Sequence, residues 1–265
     1  RVVTIRRQAL EGKPDANLAA NLNNLASMLQ DNGEFEEAEG YYREALEMVT
    51  AIWGEEHPYV AFTLNSYASL HQDRGDYDRA EADLRRALDI GTAVFPEEHP
   101  FIAVVHYNLA RLLREQGVFR QALDAYEQAL SLQRRGLPAG HPDIAETLLG
   151  LGQTLMEVDR AVQAEPRLRE ALDIRKEVYS EEDRRTVQAE GALGQCLLRL
   201  QRYPEAEPLL VHSYTMMMEE RGAEDVGTRR LLSALVTLFT ETNQPDRAAS
   251  YQALLADTEE PPDRP

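Results

Sequence analysis

Apolar residues recur along the chain with the three-and-four spacing of an amphipathic helix. Leu18, Leu22, Leu25 and Leu29 form one stripe, with Asn23, Ser27 and Gln30 on the neighbouring face. Gly33 interrupts the stripe, and Ala38, Tyr42, Ala45 and Leu46 mark a second one. No segment shows sustained strand-like alternation bounded by turn signals. The pattern predicts a helix, a tight turn and a second helix, and it starts again 42 residues later.

Several columns carry that period. Alanine stands at Ala38, Ala80, Ala122, Ala164, Ala206 and Ala248, and again at Ala45, Ala87, Ala129 and Ala171 before giving way to Ser213 and Leu255. A large–small pair recurs at Leu25-Ala26, Tyr67-Ala68, Leu109-Ala110, Leu151-Gly152, Leu193-Gly194 and Leu235-Val236. Small side chains let paired helices approach closely. The turn falls at Gly33, Gly75 and Gly117, then at Asp159, Gln201 and Asn243. Glycine, and less readily Asn or Asp, tolerates the left-handed backbone that ends a helix. His57-Pro58, His99-Pro100 and His141-Pro142 precede the next helix, where proline suits the first turn.

One hairpin cannot bury its apolar face, but stacked neighbours make a continuous core. Six units start near Asn17, Tyr59, Phe101, Asp143, Arg185 and Gly227. The expected architecture is all-α, a right-handed superhelical solenoid of about six 42-residue helix-turn-helix repeats, one domain over residues 1–256. Residues 1–16 read as the end of a preceding, truncated repeat whose open edge offers apolar surface for self-association. Residues 257–265, acidic and Pro-rich, read as a disordered tail.

Composition narrows the function. A net charge of −18 repels phosphate backbones and anionic membrane surfaces, so neither nucleic acid nor membrane is an expected partner. The single cysteine, Cys196, excludes an internal disulfide and fits a cytoplasmic location. The longest apolar stretch, from Leu231 to Phe239, is too short to span a bilayer.

The small-residue columns resemble those of the tetratricopeptide repeat, whose unit is normally about 34 residues. About eight additional residues, roughly two helical turns, would extend the second helix and its loop. Leu22-Asn23-Asn24-Leu25-Ala26, Phe35-Glu36-Glu37-Ala38-Glu39 and Gly54-Glu55-Glu56-His57-Pro58 resemble the kinesin-light-chain subtype. Residues 201–210 and 243–249 resemble C-terminal repeats that follow some bacterial serine/threonine kinase domains. The kinase's own phosphate loop, His-Arg-Asp and Asp-Phe-Gly motifs are absent from this stretch. The resemblance implies a non-catalytic, protein-binding region of a larger signalling protein such as that kinase.

No catalytic constellation emerges. The His-Pro loops sit one repeat apart, too far for ligands that must converge at about 2 Å on one zinc ion. Gly150-Leu151-Gly152 lies in mid-helix with no preceding strand, so it fails as a nucleotide loop. Cys196 reads as packing, His106 as a core or groove residue, and Trp53 as a packing anchor; His71 and His212 have no evident partner. Met216-Met217-Met218 reads as part of a partly buried helix, and Glu36, Glu37 and Glu39 as a solvated face. No cofactor or metal is expected.

The expected ligand is a protein or peptide held by the first helices. Equivalent positions there are Asn23, Ser27 and Gln30; Asn65, Ser69 and Gln72; Tyr107, Arg111 and Arg114; Leu149, Gln153 and Met156; Gly191, Gln195 and Leu198. Asn24 and Asn108 adjoin the row. Amides donate and accept at once, which suits an extended peptide backbone. The kinesin-light-chain resemblance implies that role for Asn23 or Asn24, Asn65 and Asn108. Arg111 and Arg114 would clamp a carboxylate or phosphate, or else pair with Glu115 or Asp124 in the scaffold. The wall turns apolar toward its C-terminal end, with Gly191 opening space. An alternative is a receptor that closes round a small signal peptide to control an attached effector.

Overall fold

The computed structural model describes residues 14–257, and the expectations for residues 1–13 and 258–265 lie outside them. Twelve α-helices and no strand occur among the described residues. The chain divides into two compact units between Gly136 and Leu137. Unit 1 holds α1 (Ala16–Asp31), α2 (Phe35–Trp53), α3 (Pro58–Asp73), α4 (Tyr77–Val94), α5 (Pro100–Glu115) and α6 (Phe119–Gly136). Unit 2 holds α7 (Pro142–Glu157), α8 (Ala161–Val178), α9 (Arg184–Arg199), α10 (Tyr203–Arg221), α11 (Val226–Glu241) and α12 (Pro245–Asp257).

Each unit is three antiparallel hairpins. Within a unit the second helix of one hairpin packs on the first helix of the next, and successive first helices also touch. All six first helices are 16 residues long, whereas five of the six second helices run 18 or 19. The long period therefore resides partly in the second helix.

The column residues are the seam. Ala26, Ala38, Ala45, Ala80, Ala87, Ala122 and Ala129 are fully buried between the helices of unit 1, as are Ala164, Ala171 and Ala206 in unit 2. Where the small residue is Gly152, a Cβ would stand only 2.6 Å from Leu168 Cδ2, so that leucine has taken the volume an alanine would use. The turns adopt the left-handed backbone throughout: φ is 79° at Gly33, 78° at Gly75 and 76° at Gly117, and 58°, 59° and 55° at Asp159, Gln201 and Asn243.

One column performs a task that its sequence disguises. Asp15, His57, His99, His141, Asp183 and Asp225 each precede a first helix, and each side chain accepts from a first-turn backbone N–H. The histidines accept through Nδ1 at 3.2–3.3 Å. The His-Pro dipeptide is thus an N-cap followed by a residue with no N–H to satisfy.

A polar ladder and a cavity on the first helices

In unit 1 much of the sequence-derived row bonds from one repeat to the next, and the second helices reach part of it through Tyr42 and Tyr126. Asn108 Nδ2 donates to Asn65 Oδ1 at 2.9 Å. Gln30 Nε2 donates to Ser69 Oγ at 3.0 Å and to Asp73 Oδ2 at 2.5 Å, while Tyr42 donates its hydroxyl proton to Gln30 Oε1 at 3.1 Å. Burial pushes the Tyr42 phenol up to about 12, which keeps it a donor. Gln72 Nε2 donates to Glu115 Oε2 at 2.6 Å, and Arg111 donates to Gln72 Oε1 at 3.1 Å. Arg111 therefore reaches Glu115 through Gln72 rather than directly. Asn65 and Asn108 thus fix each other, while Gln30 and Gln72 are fixed by hydroxyl, carboxylate and guanidinium partners.

Asn24 and Ser27 are exposed, and Tyr107 meets Tyr126 edge to face at 6.0 Å. Arg114, Gln153 and Gln195 are half-buried, the last two in unit 2. Asn23 Oδ1 and Arg111 Nε are buried with no hydrogen-bond partner. The unit 2 wall departs from expectation. Leu149 and Met156 belong to the core. Gly191 opens no space, because a Cβ there would lie 3.0 Å from Leu231 Cδ2 and 3.4 Å from Ser213 Cβ.

A cavity of about 250 Å³ lies beside Asn23, between α1, the end of α2 and the start of α3. Val49, Trp53, Tyr59, Phe62 and Thr63 line it with Asn23. The Trp53 ring stacks on His57 at 4.8 Å and meets Tyr59 at 4.8 Å, so Trp53 packs as expected yet also forms a wall. Tyr59 is 49% exposed and Phe62 36%.

Several charged groups escaped the sequence reading. Glu190 is buried where other repeats carry Leu22, Leu64, Leu148 and Leu232, and it pairs with Lys176 Nζ at 2.8 Å and His212 Nδ1 at 2.6 Å. His212 thus has a partner, and so does His71, whose Nε2 lies 3.6 Å from Asp83 Oδ2 and whose ring stacks on Tyr67. Burial lowers the His71 pKa and raises that of Asp83 to about 6. His106, in the same apolar column as Glu190, is pulled down by burial alone. The largest fully buried side chain is Arg175, which donates to Glu146, to the Arg185 carbonyl and to Gln188. A charged residue in a column mainly of leucines was the available signal for Glu190, whereas the column of Arg175 also holds Gln133 and gave a weaker one.

Cys196 donates its thiol to the Ala161 carbonyl at 3.3 Å, and burial pushes its pKa up to about 11. Among the described residues, no group of three or more His, Cys, Asp or Glu side chains could hold a metal ion, and no helix is long and apolar enough to cross a membrane.

Tetratricopeptide repeat models match residues 17–93, 62–135, 143–219 and 185–253, and a second such model matches residues 107–178. The chain belongs to the tetratricopeptide repeat family. Solved structures agree with this fold. BtubC (BKLC) from P. vanneervenii is 23% identical over 83% of this chain and 88% of its own, with a TM-score of 0.72. A putative kinesin light chain of nearly identical TPR-like repeats from Podosopora anserina is 19% identical over 78% and 98%, with a TM-score of 0.66. YrrB, described as a TPR protein with an unusual peptide-binding site, is 18% identical over 84% and 93%, with a TM-score of 0.53. No curated relative matches the chain. Tetratricopeptide repeats are a general protein–protein interaction module and typically non-catalytic, and nothing in this chain indicates catalysis.

Proposed function

We propose that the polar face of the first helices in unit 1 binds an extended peptide or protein segment. The observation that carries this is the row Asn65, Asn108, Gln30 and Gln72, amides held in fixed orientation by hydrogen bonds that run from one repeat to the next. Asn65 keeps its Nδ2 donor and Asn108 its Oδ1 acceptor for a ligand, and the rotamer entropy of all four amides is already lost before the ligand arrives. The description of YrrB as carrying a peptide-binding site supports the reading. The resemblance of residues 201–210 to repeats that follow kinase domains supports placing the module in a signalling chain.

The test is the triple variant Asn23→Ala, Asn65→Ala, Asn108→Ala against an arrayed peptide library. Loss of the peptides bound by the parent, with helicity unchanged, is the expected result. Undiminished binding would move the site off this face.

A further inference from the structure

The cavity exists because one column position differs between repeats. Val49, Gly91, Gln133, Arg175 and Met217 are equivalent, each about one turn from the end of a second helix. At Gly91 the missing side chain is replaced by the Phe101 ring, two of whose carbons lie 3.2 Å from where a Cβ would be. Phe101 is accordingly buried. At Val49 the methyl groups take that place, so the equivalent ring, Tyr59, stands outside and the crevice stays open.

In unit 2 the chain fills the equivalent crevice with a guanidinium. Arg175, at the column position of Val49, is 1% exposed and is held by Glu146, Gln188 and the Arg185 carbonyl. These three occupy the columns of Ala20, Phe62 and Tyr59, all of which line the open cavity. The Trp53 column holds Tyr179 there, and the Arg185 guanidinium lies over its ring at 3.8 Å. The fold thus already seats arginine against these wall positions.

The open cavity has the chemistry to take one from outside. Its lining contains no charged residue. It offers three aromatic rings, which attract cations, and Asn23 Oδ1, a buried acceptor with no donor. Residues 14–73, the segment that builds the cavity, carry eleven carboxylates against one basic side chain, Arg43. A cation is drawn toward this face, and an acidic ligand is repelled.

We infer that the cavity is a receptor for an arginine side chain of a bound basic segment, occupying the place that Arg175 fills in unit 2. The inference rests on the reading of this face as a peptide-binding surface and names the ligand's chemistry. Trp53 is the only tryptophan, so its fluorescence reports the cavity directly. The probe is N-acetyl-arginine amide, titrated beside its neutral isosteres built on citrulline and norleucine. The expected result is a saturable Trp53 response to the arginine probe, at least ten-fold weaker with either isostere. It should be abolished in Val49→Arg, which supplies the guanidinium internally, and weakened in Phe62→Ala. Equal response to citrulline or norleucine, or no saturable response to arginine, would overturn the inference. The peptide array separates the two ideas. Peptides bound without arginine preference sink the receptor alone, and an array with no bound peptide sinks the broader reading.

Discussion

A single imidazole shows how much one column position decides. His106 stands where Leu22, Leu64, Leu148 and Leu232 stand in other repeats, and burial holds its pKa below 6.5. The unfolded imidazole takes a proton near 6.5 and the folded one only at lower pH. Stability is therefore full above that value and falls as pH drops below it. His106→Leu should raise stability by about 1 kcal/mol at pH 7, and its advantage over the parent should widen toward pH 5.5. Urea titrations at both values check this, and a constant difference would mean that His106 is not the titrating group. The Asn65–Asn108 bond makes a second prediction at this scale. A double-mutant cycle with alanine at both positions should show coupling of roughly 0.5–1 kcal/mol.

At the level of elements, the hairpins were legible because helical period, small-residue seam and turn residues agree. Gln201 was read as a turn from its column alone, and its φ of 59° is the conformation the column demands. Gln201→Gly should stabilise by about 0.5–1 kcal/mol by relieving that backbone, and a lower melting temperature would contradict the account. The caps were less legible. Histidine and aspartate share little but an acceptor atom, so their column looked like a loop until His57, His99 and His141 were seen accepting from backbone N–H groups. His99→Ala should cost about 1 kcal/mol, measured by thermal unfolding. The site was half legible. Periodicity placed Asn65 and Asn108 on one face, but no single-chain pattern says that they bond to each other across 43 residues. Nor does periodicity reveal a cavity, which depends on whether Val49 or Gly91 leaves room for the next aromatic ring.

For the whole molecule the governing quantities are charge and nearest-neighbour stability. Net charge −18 should make association with basic peptides strongly salt-dependent, with on-rates falling at least several-fold between low and physiological ionic strength. Stopped-flow Trp53 fluorescence at two salt concentrations measures it, and a flat profile would remove electrostatic steering from the picture. Arg175 makes the corresponding stability prediction. Arg175→Met should lower the stability of unit 2 by roughly 2 kcal/mol, a figure discounted because Glu146 is half exposed. Pairing it with Glu146→Ala should restore part of the loss.

The column of Val49, Gly91 and Arg175 has one more consequence. A tandem array grows by copying a hairpin, and each copy carries the same niche along with the scaffold. That position, together with the ring column of Tyr59 and Phe101, then decides whether the niche is shut by an aromatic lid, plugged from within or left vacant. Selectivity can drift along the array without disturbing the seam that holds it together, and an engineer could relocate the vacancy by exchanging the few residues that line it.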